Sequence, residues 1–311
     1  MKYRIFIAGG SGFLGRGITE RLLEAGYDVV AVVRRPSRFP LGERKKLSLR
    51  EGDVFDPESL RGTMDGCRAV VNAVGILRER RRKGITYERL HLQAVRNLLA
   101  EVERAGVEHF VQISAMGARA DGVSRYQTTK YQAEKEVRRR AKRWTVLRPS
   151  VVIGPGAGFA ATMRSLARLP VTPIFSDGNY RFEPVDKRVV ADAVVAALES
   201  ESADGAVFEL RGPAAYTFDE ILDHIGAALG RRRVRKFHFP LWLARLVVSA
   251  TGWLPFSPIN RDQLEMLVES DVGTGRDGVA ELGLQVIDLP EQLEHAFRGS
   301  DLDPTRGAQA G

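Results

Sequence analysis

The sequence predicts an α/β fold with a doubly wound parallel sheet, and three observations carry that prediction. Short apolar runs alternate with helical patterns along the first half of the 311-residue chain. Runs such as "AVVNAV" are apolar throughout, as in strands covered on both faces. A glycine cluster, "GGSGFLG", joins the first such run to the first helical pattern. Alternation of this kind builds right-handed βαβ crossovers between parallel strands.

Taken in order, strands are expected at 3–8, 28–33, 47–50, 69–74, 107–113 and 144–153. Helices are expected at 13–25, 57–64, 85–105 and 127–140. Leu14, Ile18 and Leu22 recur at helical spacing in the first of these, and Tyr87, Leu90, Ala94, Leu98 and Val102 do so in the third. From about 154 the texture changes. "GPGAGFAATMRSLARLP" reads as loop then helix, "EPVDKRVVADAVVAALES" as turn then amphipathic helix, and "AVFELRGP" as a further strand. "TFDEILDHIGAALG" opens on Thr217 with Glu220 three residues on, and ends at Gly230. The expected organisation is a nucleotide-binding core over 1–153, with 184–212 returning to it. A smaller, mainly helical substrate or partner region takes 154–183 and 213–300, and 301–311 is a frayed polar tail.

The hydrophobic fraction of 44% is enough for a substantial core. The net charge is +8, with basic runs "RERRRK" (78–83), "RRRAKR" (138–143) and "RRRVRK" (231–236). No aromatic residues interleave with these runs, so no nucleic-acid partner is expected. The single cysteine, Cys67, excludes a disulfide framework and fits a reducing cytoplasm. The chain enters a strand at once, which leaves no room for a secretory leader. No apolar run has the length of a membrane span. The nearest, "FPLWLARLVVSATGWLPF" (239–256), is interrupted by Pro240, Arg245, Gly252 and Pro255. It reads either as a buried helix or subunit contact, or as a peripheral contact with a membrane or membrane complex at its inner face. His91, His109, His224, His238 and His295 show no metal-ligand spacing, so no metal is expected.

The glycine cluster satisfies Gly9-x-x-Gly12-x-x-Gly15 and Gly10-x-Gly12-x-x-Gly15 together. One glycine permits the tight turn out of the strand, one lets the backbone approach a diphosphate, and Gly15 allows close helix–sheet packing. The amides around Ser11, Phe13 and Leu14 and the helix dipole then meet the negative charge. NAD sites place an acid at the end of the second strand, to bind ribose hydroxyls. This chain has "VVRRPSR", with Arg34 at 19 residues after Gly15. A guanidinium there pairs with a 2′-phosphate, which predicts NADP(H) over NAD(H); Arg35 is a second candidate. Asp53, followed by Val54, either accepts from an adenine amino group or caps the next turn. Ala73, Val74 and Gly75 leave room for the middle of the cofactor to pass the backbone.

"GGSGFLG", "GDVFD", "NAVG", "ISAMGA", "YQTTKYQAE", "LRPSVVIGPG" and "FEPVDKRVVADAV" together resemble the short-chain dehydrogenase/reductase superfamily in its extended or atypical branch, over about residues 1–230. "FELRGPAAYTFDEIL" and "FPLWLARLV" resemble the subgroup that contains the NADPH-binding accessory subunit of respiratory complex I and its bacterial epimerase-like relatives. The resemblance implies a Rossmann fold with a small C-terminal substrate region. It also implies that Lys130 binds the nicotinamide ribose and lowers the Tyr126 pKa, and that Tyr126 relays a proton as hydride moves. Tyr126 packing alone, with Lys130 only on the ribose, is the alternative. Pro149 and Val152 are implied to brace the nicotinamide. The family's usual Ser/Thr slot aligns with Met116, which cannot donate a hydrogen bond, leaving Ser114 as the candidate hydroxyl. Helices 85–105 and 127–140 pair subunits in many relatives, which raises a homodimer. Two functions follow. One is an NADP(H) oxidoreductase or epimerase-like enzyme for a small carbonyl, sugar nucleotide or quinone-like compound, with Arg148, Arg164, Arg168 and Arg181 as surface salt-bridge formers or phosphate contacts. The other is a non-catalytic NADPH-binding module.

Overall fold

The computed structural model describes residues 2–42, 44–251, 261–269 and 272–298. The expected tail at 301–311 and the end of the 239–256 segment lie outside them. The chain runs β1 (Arg4–Ala8), α1 (Phe13–Glu24), β2 (Asp28–Val33), β3 (Leu47–Glu51), α2 (Pro57–Leu60), β4 (Cys67–Asn72), α3 (Ala94–Ala105), β5 (His109–Ile113), α4 (Arg125–Arg140) and β6 (Arg143–Pro149). It continues with β7 (Val152–Ile153), α5 (Gly158–Ala167), β8 (Thr172–Phe175), β9 (Arg181–Phe182), β10 (Val185–Asp186), α6 (Lys187–Glu199), β11 (Ala206–Leu210), β12 (Tyr216–Thr217) and α7 (Phe218–Ala228). It closes with β13 (Lys236–Phe239), α8 (Leu241–Thr251), α9 (Arg261–Val268), α10 (Gly278–Glu281) and α11 (Leu289–Phe297).

Seven strands form one parallel sheet in the order β3-β2-β1-β4-β5-β6-β11. The strand order reverses between β1 and β4, the point at which sheets of this kind form a ligand crevice at the carboxyl ends of their strands. Alternate side chains feed two cores. Ile5, Ile7, Val29 and Ala31 pack with Ile18 and Leu22 of α1 and Val190 and Val194 of α6. Phe6, Ala8, Val30 and Val32 pack with Val95 and Leu98 of α3 and Ala133 of α4 on the other face. Both faces are therefore buried, which is why these strands read as unbroken apolar runs. A third core, with Phe182, Phe218, Ile221 and Leu293, belongs to the smaller C-terminal region.

Three elements differ from expectation. The 144–153 strand is two strands, because Ser150 N donates to Leu210 O and the chain then leaves the sheet for a pairing of Val152 with Val185. The helix expected over 57–64 stops at Leu60, where Gly62 adopts φ 77°. The 85–105 helix begins with a π-helical segment, Glu88–Gln93. No helix among the described residues is long and apolar enough to cross a membrane.

Candidate functional site

The glycine turn sits where β1 meets α1. Gly9 has φ 79°, and its carbonyl accepts from Gly12 N at 2.9 Å. A side chain on Gly9 would come 2.8 Å from the carbonyl carbon of Ala73, and one on Gly15 would overlap the Gly9 carbonyl oxygen. These glycines close a cradle that any Cβ would fill. Gly12 caps α1 without a side-chain hydrogen bond, and the first turn carries no acid, so its backbone amides and positive helix end are left for an anionic group. Ser11 is exposed at the rim, and Phe13 and Leu14 are half-buried.

From this cradle the backbone leads along the end of β4. Gly9 touches Ala73 and Val74; Val74 N donates to Asn72 Oδ1 at 3.1 Å, and Asn72 is itself held by Gln112. A side chain on Gly75 would meet Lys130 Nζ at 3.1 Å. The line therefore runs Gly9, Ala73, Gly75, Lys130. It follows the crevice between β1 and β4 and fits a dinucleotide laid across it.

A capping box between Ser124 and Gln127 starts α4. Tyr126 and Lys130 then lie one turn apart on a single face. Both are buried. Lys130 Nζ donates to Ile113 O at 3.1 Å. Burial pulls its pKa down to about 8, against a partial upward pull from the Glu134 carboxylate. The Tyr126 ring lies edge-on to His91, at 5.2 Å, and to Tyr87, at 5.8 Å.

The outer end of the crevice is basic. Arg34 and Arg35 are exposed at the end of β2, and neither has a carboxylate partner among the described residues. Asp53 caps its own turn, accepting from Phe55 N at 3.0 Å. The Val54 carbonyl accepts from Asn97 Nδ2 at 2.8 Å. Pro149 O accepts from Met116 N at 3.1 Å, and half-buried Val152 lies in β7.

Ser114 differs from the other candidates. Its hydroxyl donates to Glu134 Oε1 at 2.6 Å. Glu134 is fully buried and also takes both arms of Arg148, at 2.8 and 2.7 Å. The Ser114 hydroxyl is therefore committed to a buried ion-pair network. Arg148 is committed there too, in place of the surface salt bridge expected for it.

Four further residues bear on the site; the sequence marked only His91 among them, as a histidine without metal-ligand spacing. His91 Nε2 accepts from Ile76 N at 3.4 Å, and its Nδ1 lies 2.9 Å from Thr129 Oγ1, so His91 joins the loop after β4 to the Tyr126 helix. Burial, with Lys130 adding to it, holds its pKa down at about 2. Lys187 Nζ sits 5.1 Å above the Phe13 ring beside the glycine turn. Glu269, just past α9, accepts from Gln127 Nε2 at 2.6 Å and pairs with Arg119. Asp262, at the start of α9, lies among Glu79, Arg125 and Arg81, and burial raises its pKa. The two ends of α9 thus rest on the loops and helix start that flank Tyr126. No local pattern signals these pairings. Among the described residues no cluster of His, Cys, Asp or Glu could hold a metal ion.

Comparison with known proteins supports a nucleotide-binding α/β fold. A family model described as NAD(P)H-binding matches residues 9–201. The mitochondrial NADH dehydrogenase [ubiquinone] 1 alpha subcomplex subunit 9 of Arabidopsis thaliana is 26% identical over 311 residues, covering 94% of this chain and 75% of that protein. An NADPH-dependent quinone oxidoreductase from Escherichia coli, solved with NADPH, superposes with a TM-score of 0.73 at 19% identity, covering 94% of this chain and 99% of that one. A UDP-glucose 4-epimerase from Thermotoga maritima, solved with UDP-glucose, gives 0.72 at 21% identity, covering 95% and 97%.

Proposed function

The chain belongs to the NAD(P)H-binding family, and from that premise we propose that it is an NADP(H)-dependent, epimerase-like oxidoreductase. Its substrate class is a small carbonyl, sugar-nucleotide or quinone-like compound. The observation that carries the reading is the continuous track from the Gly9–Gly15 cradle past Ala73 and Gly75 to Lys130. In this reading the α1 amides hold the diphosphate. Arg34, with Arg35 beside it, holds the adenosine 2′-phosphate, and Asp53 and Val54 line the adenine end. Pro149 and Val152 flank the nicotinamide.

NADPH supplies the hydride when bound. The chain's own residues manage the proton. Lys130, largely protonated at neutral pH with its pKa near 8, binds the ribose hydroxyls and stabilises the phenolate that Tyr126, one turn away, becomes once its phenol has given up a proton. Tyr126 delivers a proton to the substrate oxygen and recovers it from solvent. His91 locks the Ile76 loop against this helix.

A second reading has one specific observation in its favour. Ser114 is tied to Glu134, and the family resemblance puts Met116 in the slot of the usual catalytic hydroxyl. A substrate oxygen then lacks that second donor, as suits a non-catalytic NADPH module similar to the complex I subunit. Single-turnover NADPH oxidation over a panel of carbonyls and quinones separates the two. The enzyme reading expects turnover with at least one compound and a loss of about 10²–10⁴-fold in Tyr126→Phe. NADPH binding with no turnover across the panel favours the module.

A further inference from the structure

Ser150, just past β6, is buried, and its hydroxyl has no hydrogen-bond partner among the described residues. A buried hydroxyl left in this way costs stability until a bound group completes it. The strand register shows where it stands. β5 and β6 pair with Ile113 opposite Leu147, and the ladder continues beyond β5: Ser114 N donates to Leu147 O, and Met116 N to Pro149 O. The same register sets Ser150 beside Met116. Two residues earlier, Ser114 and Arg148 both reach Glu134 on α4. Side chains two apart on a strand share a face, and Ser150 N is still held in the sheet by Leu210 O. The Ser150 side chain therefore lies on the face that α4 covers.

The direction of α4 fixes its height. This helix joins the parallel strands β5 and β6, so it runs against both and begins at their carboxyl ends. The step from Arg148 to Ser150 along the strand and the step from Glu134 through Lys130 to Tyr126 along the helix therefore go the same way. Two strand residues span about 6.6 Å, and one helical turn about 5.4 Å. Ser150 thus stands about one turn beyond Glu134, toward Tyr126. The other hydroxyls on this part of the site are engaged: Ser114 by Glu134, Ser124 by Gln127 and Thr129 by Arg125 O. Met116 has no side-chain donor. We propose that the Ser150 hydroxyl is the second hydrogen-bond donor to the reacting substrate oxygen, beside the Tyr126 phenol. The inference rests on the enzyme reading above. As hydride adds to a carbonyl carbon, the C=O electron pair moves onto the oxygen. Tyr126 transfers its proton to that oxygen, and Ser150 donates a hydrogen bond to it while keeping its own proton.

Ser150→Ala tests it, assayed by single turnover with NADPH on a carbonyl compound that wild type reduces. Hydride transfer should fall about 10²-fold or more. The NADPH affinity, read by calorimetry, should match wild type, because the bond goes to substrate and not to cofactor. The melting temperature should not fall, because the hydroxyl has no protein partner to lose. Three results would overturn the proposal. One is a wild-type rate in Ser150→Ala. Another is a lower melting temperature, which would reveal a structural bond. The third is an NADPH affinity that falls in step with the rate, which would assign the hydroxyl to the cofactor. Absence of turnover by wild type itself, on every compound, would instead remove the enzyme reading and this inference with it.

Discussion

The Ser114 hydroxyl donates to the Glu134 carboxylate at 2.6 Å, and this fully buried carboxylate also pairs with the partly exposed Arg148 and Arg138. This bond gives the strand-end serine a structural duty. Ser114→Ala should cost about 1 kcal/mol of stability in denaturant melts and leave single-turnover hydride transfer within about threefold of wild type. A donor to the reacting oxygen would instead lose about 10²-fold or more.

Arg148→Met removes the bidentate partner of a carboxylate that has no access to water. Glu134 keeps Arg138 and Ser114 as partners, so losing the two charge-assisted bonds should cost about 1–3 kcal/mol. Urea denaturation reads this directly. A cost below about 1 kcal/mol would show that Arg138 alone satisfies Glu134.

Gly15→Ala tests the cradle. The added methyl group would overlap the Gly9 carbonyl oxygen, so the turn must open, at a cost of about 1–3 kcal/mol. The stabilisation given by NADPH in thermal melts should vanish with it. Wild-type stabilisation in a folded Gly15→Ala protein would place the diphosphate elsewhere.

His91 gives a pH signature. Its folded pKa, about 2, lies below the ordinary 6.5, chiefly through burial. The unfolded chain therefore binds a proton that the native chain refuses. The associated stability is complete above pH 6.5 and is lost as pH falls, at about 1.4 kcal/mol per pH unit. His109, held at about 4 by burial, adds to the loss over the upper part of that range. His91→Gln should flatten the fall in melting temperature between pH 6.5 and 4. An unchanged slope would mean that His91 is protonated in the native protein.

The sheet was legible because its strands are buried on both faces and carry apolar runs; β2 lies at 28–33 as expected. The glycine turn was legible because its chemistry is local. What escaped depends on contacts distant in sequence. Ser114 and Glu134 are 20 residues apart, Arg148 and Glu134 are 14 apart, and Gln127 and Glu269 are 142 apart. The break after Pro149 arises from a bond between Ser150 and Leu210, which no property of the 144–153 run reveals. The apolar run within 239–256 left its exposure open. Only the packing of Ala244 and Val248 shows that the opposite face, with Trp242, is the one left in water.

The central claim is that the Gly9–Gly15 cradle grips a dinucleotide whose adenosine 2′-phosphate is held by Arg34. Calorimetric titration of wild type and Arg34→Glu with NADPH and with NADH tests it most directly. The account predicts that wild type binds NADPH at least about tenfold more tightly, a difference of about 1.4 kcal/mol, and that Arg34→Glu loses or reverses the preference. Equal affinities in wild type, or a preference that survives Arg34→Glu, would contradict it.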